Sequence, residues 1–132
     1  MGAIYHREER VADMISIVDD DVIVREATLS LVRALGFTAV TFASAEEFLH
    51  SDCVNDTSCL IADVQLPGLS GIELQIRLRA EGSRIPVIVM TAFPDARIRV
   101  QALDAGAVAF LSKPCDIEAL IDCLDRALHA HN

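Results

Sequence analysis

The chain has 132 residues, of which 52% are apolar, with 20 acidic against 11 basic side chains and a formal net charge of −9. That length suits one domain with its own core, and the apolar content excludes a disordered chain, which could not offset the entropy lost on folding. An acidic chain with a pI near 4.7 offers no basic face for phosphate backbones, so autonomous nucleic-acid binding is excluded as well.

The N-terminal extension 1–12 is polar, with Arg7, Glu8, Glu9 and Arg10 where a signal peptide would need an apolar stretch, and no apolar run reaches the roughly 18–20 residues of a membrane helix. A soluble, cytoplasmic protein is expected, with no membrane partner. Met14–Val18 reads as a first strand, Asp19-Asp20-Asp21 as an acidic turn, and Val24, Ala27, Leu31 and Leu35 as the apolar stripe of a helix that stops at Gly36. Phe37–Phe42 is strand-like. Ser44 and Glu47 have the spacing of a capping box for a short helix through Phe48 and Leu49, and Ser58–Ala62 is a third strand that ends at Asp63. Ile72–Arg79 alternates apolar and polar residues as a strand would. Its Leu, Glu, Gln and Arg are nevertheless helix formers, Ser70 and Glu73 form a capping box, and Gly82 supplies a stop, so a helix is expected. Val87–Thr91 is a continuous apolar run suited to a strand covered on both faces. Asp95–Ala105 is helical up to Gly106, and Ala107–Leu111 is a fifth strand. Asp116 caps a last helix carrying Ile117, Leu120, Ile121, Leu124 and Leu128.

This alternation predicts a single α/β unit over 13–129, with a tail at 130–132: a doubly wound (βα)5 fold with a five-stranded parallel sheet. Right-handed crossovers place every strand's C-terminal end at one edge, where open α/β sheets bind ligands. Asp19 and Asp20 follow the first strand, Asp63 the third, Thr91 closes the fourth, and Lys113 lies just past the fifth. Three carboxylates gathered there repel one another unless a cation joins them, and a hard divalent ion such as Mg²⁺ meets that need. With an ammonium and a hydroxyl opposite, the group suits phosphoryl transfer, and a carboxylate can itself be the nucleophile. Asp63 is the natural acceptor, because it opens a loop running to Pro67-Gly68.

Taken in order, Val18-Asp19-Asp20, the segment Asp63-Val-Gln-Leu-Pro-Gly68, Met90-Thr-Ala92 and Leu111-Ser-Lys-Pro114 resemble the receiver domain of two-component response regulators, the CheY-like superfamily. The resemblance implies a flavodoxin-like strand order 2-1-3-4-5, and phosphoryl transfer to Asp63 from a histidine kinase, a phosphotransfer protein or a small donor such as acetyl phosphate. It implies that Mg²⁺ is held by Asp19, Asp20, Asp63 and the carbonyl of Gln65. Lys113, Thr91 and the backbone amides of Val64 and Ala92 would meet the phosphoryl oxygens, and the Lys113–Pro114 bond would be cis. Thr91 and Phe110 would form a switch that remodels the surface of the fourth helix, fifth strand and fifth helix. Such a protein is a phosphorylation acceptor with slow autodephosphorylation and not a turnover enzyme. The segments Met90–Arg99 and Phe110–Cys115 are similar to FixJ-type regulators, which implies a phosphorylation-dependent homodimer and DNA contact only through an output domain beyond this chain; a stand-alone receiver is the other reading.

Plainer roles compete at several positions. Asp21 reads as a helix cap, His129 and His131 as solvated tail residues, and Cys115 as a small buried hydrophobe; the four cysteines lack metal-ligand spacing. An aspartate-nucleophile phosphatase would place an acid two residues after the nucleophile, where Gln65 stands. A flavin site would need hydroxyl and glycine residues where the three aspartates stand. An unphosphorylated receiver-like docking module is the remaining alternative.

Overall fold

The structure, a computed structural model, describes residues 13–129. Five parallel strands, β1 (Met14–Val18), β2 (Thr38–Phe42), β3 (Cys59–Asp63), β4 (Val87–Thr91) and β5 (Ala109–Ser112), form one sheet in the order β2-β1-β3-β4-β5. Five helices connect and follow them: α1 (Val22–Ala34), α2 (Ala45–Leu49), α3 (Gly71–Ala80), α4 (Ala96–Asp104) and α5 (Ile117–His129). A 3-10 turn at Val54–Asp56, which no pattern announced, leads into β3.

Alternating side chains of the strands feed two separate cores. Ile15, Ile17, Ile61, Ile88 and Met90 pack beneath α1 and α5 with Val32, Leu120 and Leu124. Leu60, Ala62, Val87 and Val89 pack on the other face beneath α2, α3 and α4 with Phe48, Leu74, Leu78 and Ala102. The central strands β3 and β4 are buried at every position, which is why they read as unbroken apolar runs.

The ambiguous segment Ile72–Arg79 is helical. Its buried positions Gly71, Leu74, Gln75 and Leu78 follow the helical spacing, and Ile76 is left 54% exposed, so the apparent alternation came from an apolar residue facing solvent. Ser70 and Glu73 form the full reciprocal capping box. At α2 the Ser44 hydroxyl accepts from the Glu47 amide, but the Glu47 carboxylate reaches back to the amide of Ala43 instead of that of Ser44, so the expected box is only half made. Asp21, Asp95 and Asp116 cap α1, α4 and α5. Gly36 takes φ +98° where α1 ends. Strand ends shift by one or two residues from expectation; β5 starts at Ala109, because the Ala107 amide still bonds to the Ala102 carbonyl to close α4. Among the described residues no helix is long and apolar enough to cross a membrane. His131 and the segment 1–12 lie outside the described residues.

Candidate phosphoacceptor site

The C-terminal ends of β1, β3, β4 and β5 lie side by side, and the polar residues that follow them meet there. One carboxylate oxygen from each of Asp19, Asp20 and Asp63 lies within 4.8 Å of the others. Asp19 and Asp63 are 4% and 6% exposed, whereas Asp20 is open to solvent. The Lys113 ammonium, reaching across from the end of β5, sits 2.7 Å from Asp19 Oδ2 and 2.8 Å from Asp63 Oδ2. The Lys113–Pro114 peptide is cis.

The remaining carboxylate oxygens are held by backbone. Asp19 Oδ1 accepts from the Asp21 amide at 2.9 Å, and Asp63 Oδ1 from the Gln65 amide at 3.2 Å. Burial pushes the Asp63 carboxyl above the ordinary aspartate value, only partly countered by hydrogen bonds from Lys113 and the Gln65 amide, and the nearby Asp19 charge adds to the rise. Burial works against the Lys113 ammonium too. There the hydrogen bonds and charges of Asp19 and Asp63 prevail, and its pKa is raised. The site therefore holds three acids against one ammonium, an imbalance that a divalent cation with oxygen ligands removes.

Thr91 is fully buried, and its hydroxyl oxygen accepts from the Phe93 amide at 3.0 Å. Phe110 lies half-buried on β5, where it pairs with Val89 of β4. Ala92 is exposed immediately after β4. One expected group is placed otherwise: the Val64 amide donates to the Met90 carbonyl at 2.8 Å. The β3–β4 ladder, in which Asp63 pairs with Met90, runs one step past Asp63 and keeps that N–H in the plane of the sheet. The amide turned to the Asp63 carboxylate is that of Gln65.

Two positioning residues escaped the sequence reading. A Cβ on Gly71 would lie 2.2 Å from the Asp63 carbonyl oxygen, so only glycine lets α3 start this close to Asp63. Its amide closes the loop by donating to the Val64 carbonyl at 3.1 Å. Glu46, from α2, accepts from the Leu69 amide at 3.0 Å and ties down the far side of the same loop; that hydrogen bond lowers its pKa. A glycine in the first helical position, where it is a poor helix former, was a usable signal for Gly71. Glu46 gave none. Elsewhere, His129 ends α5 instead of lying in a tail and pairs with Asp125 at 2.8 Å on its exposed face, and the Cys115 thiol is half-buried, not buried, with its pKa raised by desolvation.

The acidic trio, bridging lysine and buried threonine lie at the carboxyl edge of a 2-1-3-4-5 sheet, the edge at which flavodoxin-like α/β proteins bind their ligands. Residues 15–125 match the response regulator receiver domain, and the chain belongs to that family. It is 40% identical over 119 residues to nodulation protein W of Bradyrhizobium diazoefficiens, covering 90% of this chain and 52% of that protein. It is also 40% identical over 123 residues to the response regulator protein TodT of Pseudomonas putida, covering 93% of this chain and 54% of the relative. The chain thus spans about half the length of these curated relatives. Among solved structures, FixJ-N superimposes with a TM-score of 0.79 at 34% identity, over 88% of this chain and 93% of that one.

Proposed function

We propose that Asp63 is the phosphoacceptor of this receiver domain, which we take to span 13–129. The observation that carries the reading is the Lys113 ammonium held between Asp19 and Asp63, side chains drawn from three strands that are remote in sequence. A carboxylate oxygen of Asp63 attacks the phosphorus of a phosphohistidine or an acyl phosphate. The new O–P bond forms as the old N–P or O–P bond breaks, and imidazole or carboxylate departs. Lys113, the Thr91 hydroxyl and the amides of Ala92 and Gln65 supply donors to the phosphoryl oxygens; the Val64 amide remains in the sheet. Asp19, Asp20, Asp63 and the Gln65 carbonyl would hold Mg²⁺, whose donors are all hard oxygens as that ion requires. When bound, it offsets the negative charge shared by the acids and the phosphoryl group.

Phosphorylation adds about −1.5 to −2 charges and strong acceptor oxygens, by analogy with other phosphoresidues. The Thr91 hydroxyl is then drawn from the Phe93 amide to the phosphoryl group, and Phe110 moves into the space released. That remodels the surface formed by α4, β5 and α5. The partners follow from this reading: a histidine kinase or phosphotransfer protein in the cytoplasm, and a second phosphorylated copy. Because one relative bears the name transcriptional regulatory protein FixJ and extends well past the matched region, we assign the output to DNA control through a further domain.

Incubation with acetyl phosphate and Mg²⁺ followed by intact mass measurement tests the acceptor. The native chain should gain one phosphoryl group and an Asp63→Asn variant none. Equal labelling of both would overturn the assignment, and no labelling of either would favour the unphosphorylated docking module.

A further inference from the structure

Phe110 makes one contact that the acceptor site does not require. Its ring packs in part against the core beneath α4 and in part borders a cavity of about 290 Å³ lined by Pro94, Asp95, Ala96, Arg99 and Ser112. The guanidinium carbon of Arg99, an exposed residue of α4, lies 6.0 Å from the centroid of that ring. This is within reach of the attraction between a cation and an aromatic face. The contact joins the first turn of α4 to β5.

Helix stability does not account for Arg99, since a cation near a helix N-terminus opposes the macrodipole. Nor does an ion pair: among the described residues Arg99 takes part in none. Asp95, one turn earlier, uses its Oδ1 to accept from the Ile98 amide.

We propose that Arg99 is a positioning residue for the switch: its guanidinium holds Phe110 in the observed half-exposed orientation and biases the domain toward its unphosphorylated conformation. This rests on the reading of Asp63 as acceptor and of Thr91 with Phe110 as the switch pair. If the ring turns inward toward Thr91, its outer face leaves Arg99, so the contact exists in one state only. An interaction confined to one state shifts the equilibrium by its own worth. For an exposed cation–aromatic pair that worth is a factor of about two to five. Reactivity toward a small phosphodonor rises in proportion to the fraction of molecules already in the competent state.

The test measures the initial rate at which the full chain is phosphorylated by acetyl phosphate with Mg²⁺, read by intact mass, in native protein, Arg99→Ala, Arg99→Lys, Phe110→Leu and the Arg99→Ala/Phe110→Leu double variant. Arg99→Ala should react about two- to five-fold faster than native. Arg99→Lys, which keeps the cation, should stay closer to native. Arg99→Ala should add nothing in the Phe110→Leu background. Loss of a positive charge would by itself slow reaction with an anionic donor, so a faster rate has no simple electrostatic origin. An unchanged or slower Arg99→Ala, or an equal acceleration without the aromatic ring, overturns the proposal. Absence of phosphorylation in every protein, native included, would instead overturn the acceptor reading on which it rests.

Discussion

Replacing Asp63 by asparagine should stabilise the metal-free fold, although it removes a buried ion pair. Asp63 is 6% exposed, its carboxylate lies 2.8 Å from one ammonium, and it has an oxygen within 4.8 Å of oxygens of two other acids. At an effective dielectric constant of about 20, the Lys113 contact contributes on the order of 6 kcal/mol and each repulsion on the order of 3.5 kcal/mol. Because solvent screens the exposed Asp20, repulsion offsets much but not all of the attraction, and burial tips the balance against the charged form. An asparagine oxygen can still accept from Lys113 or the Gln65 amide. For a domain of this size, about 1 kcal/mol corresponds to roughly 3–5 °C in Tm.

The assay is thermal unfolding of native and Asp63→Asn protein in chelator and in Mg²⁺, between pH 4 and pH 8. The Asp63 pKa is raised in the folded state, so the native fold holds this proton more tightly than the unfolded chain does. Native stability should therefore fall as pH rises through the interval from the unfolded to the folded pKa. The advantage of the variant should accordingly be small near pH 4 and full near neutrality. In Mg²⁺ at about a hundred times its Kd the native domain should gain roughly 2.7 kcal/mol and overtake the variant. A variant that melts below native in chelator, or a difference that ignores pH, would refute the electrostatic account of the site.

Three other substitutions or treatments test separate parts of the structure. Gly71→Ala forces a Cβ against the Asp63 carbonyl and should cost about 1–3 kcal/mol in urea unfolding, together with slower phosphorylation; an unaffected variant would show that the loop can shift freely. Gln75 is 1% exposed on α3, and neither amide atom has a partner among the described residues, so Gln75→Met should raise stability by about 1 kcal/mol or more; a loss of stability would reveal a hydrogen bond that the substitution removes. Burial pushes the Cys59 thiol up to about 12, so iodoacetamide at neutral pH should alkylate the half-buried Cys53 first and Cys115, whose pKa desolvation raises, more slowly, while Cys59 stays protected until the protein unfolds; peptide mapping of the alkylated native protein checks this.

The sheet and the gathering of polar residues at its carboxyl edge were legible in the sequence for one reason. Parallel strands buried on both faces leave unbroken apolar runs, and the first polar residues after them fall at a common edge. That logic located Asp19, Asp63, Thr91 and Lys113 without coordinates. It also survived the false alternation of Ile72–Arg79, where helix formers and a capping box outweighed the apparent period. Contacts made through space from unrelated segments were not legible. Glu46 grips a loop 23 residues away, and Gly71 is set by the approach of a carbonyl at the end of a strand. The Val64 amide was misplaced because its partner depends on how far the β3–β4 ladder extends, and no residue identity encodes that. Gln75 belongs with these: its place on the buried face follows from helical spacing, but its lack of a partner among the described residues does not.

Borohydride reduction gives the most direct test that Asp63 becomes an acyl phosphate. Hydride converts an aspartyl phosphate to homoserine with release of phosphate and leaves free carboxylates untouched. After treatment of the native chain with acetyl phosphate and Mg²⁺, reduction and peptide sequencing by mass spectrometry should find homoserine at position 63 and at no other aspartate. Homoserine at position 19 or 20, or none in a chain that has taken up phosphate, would contradict the account.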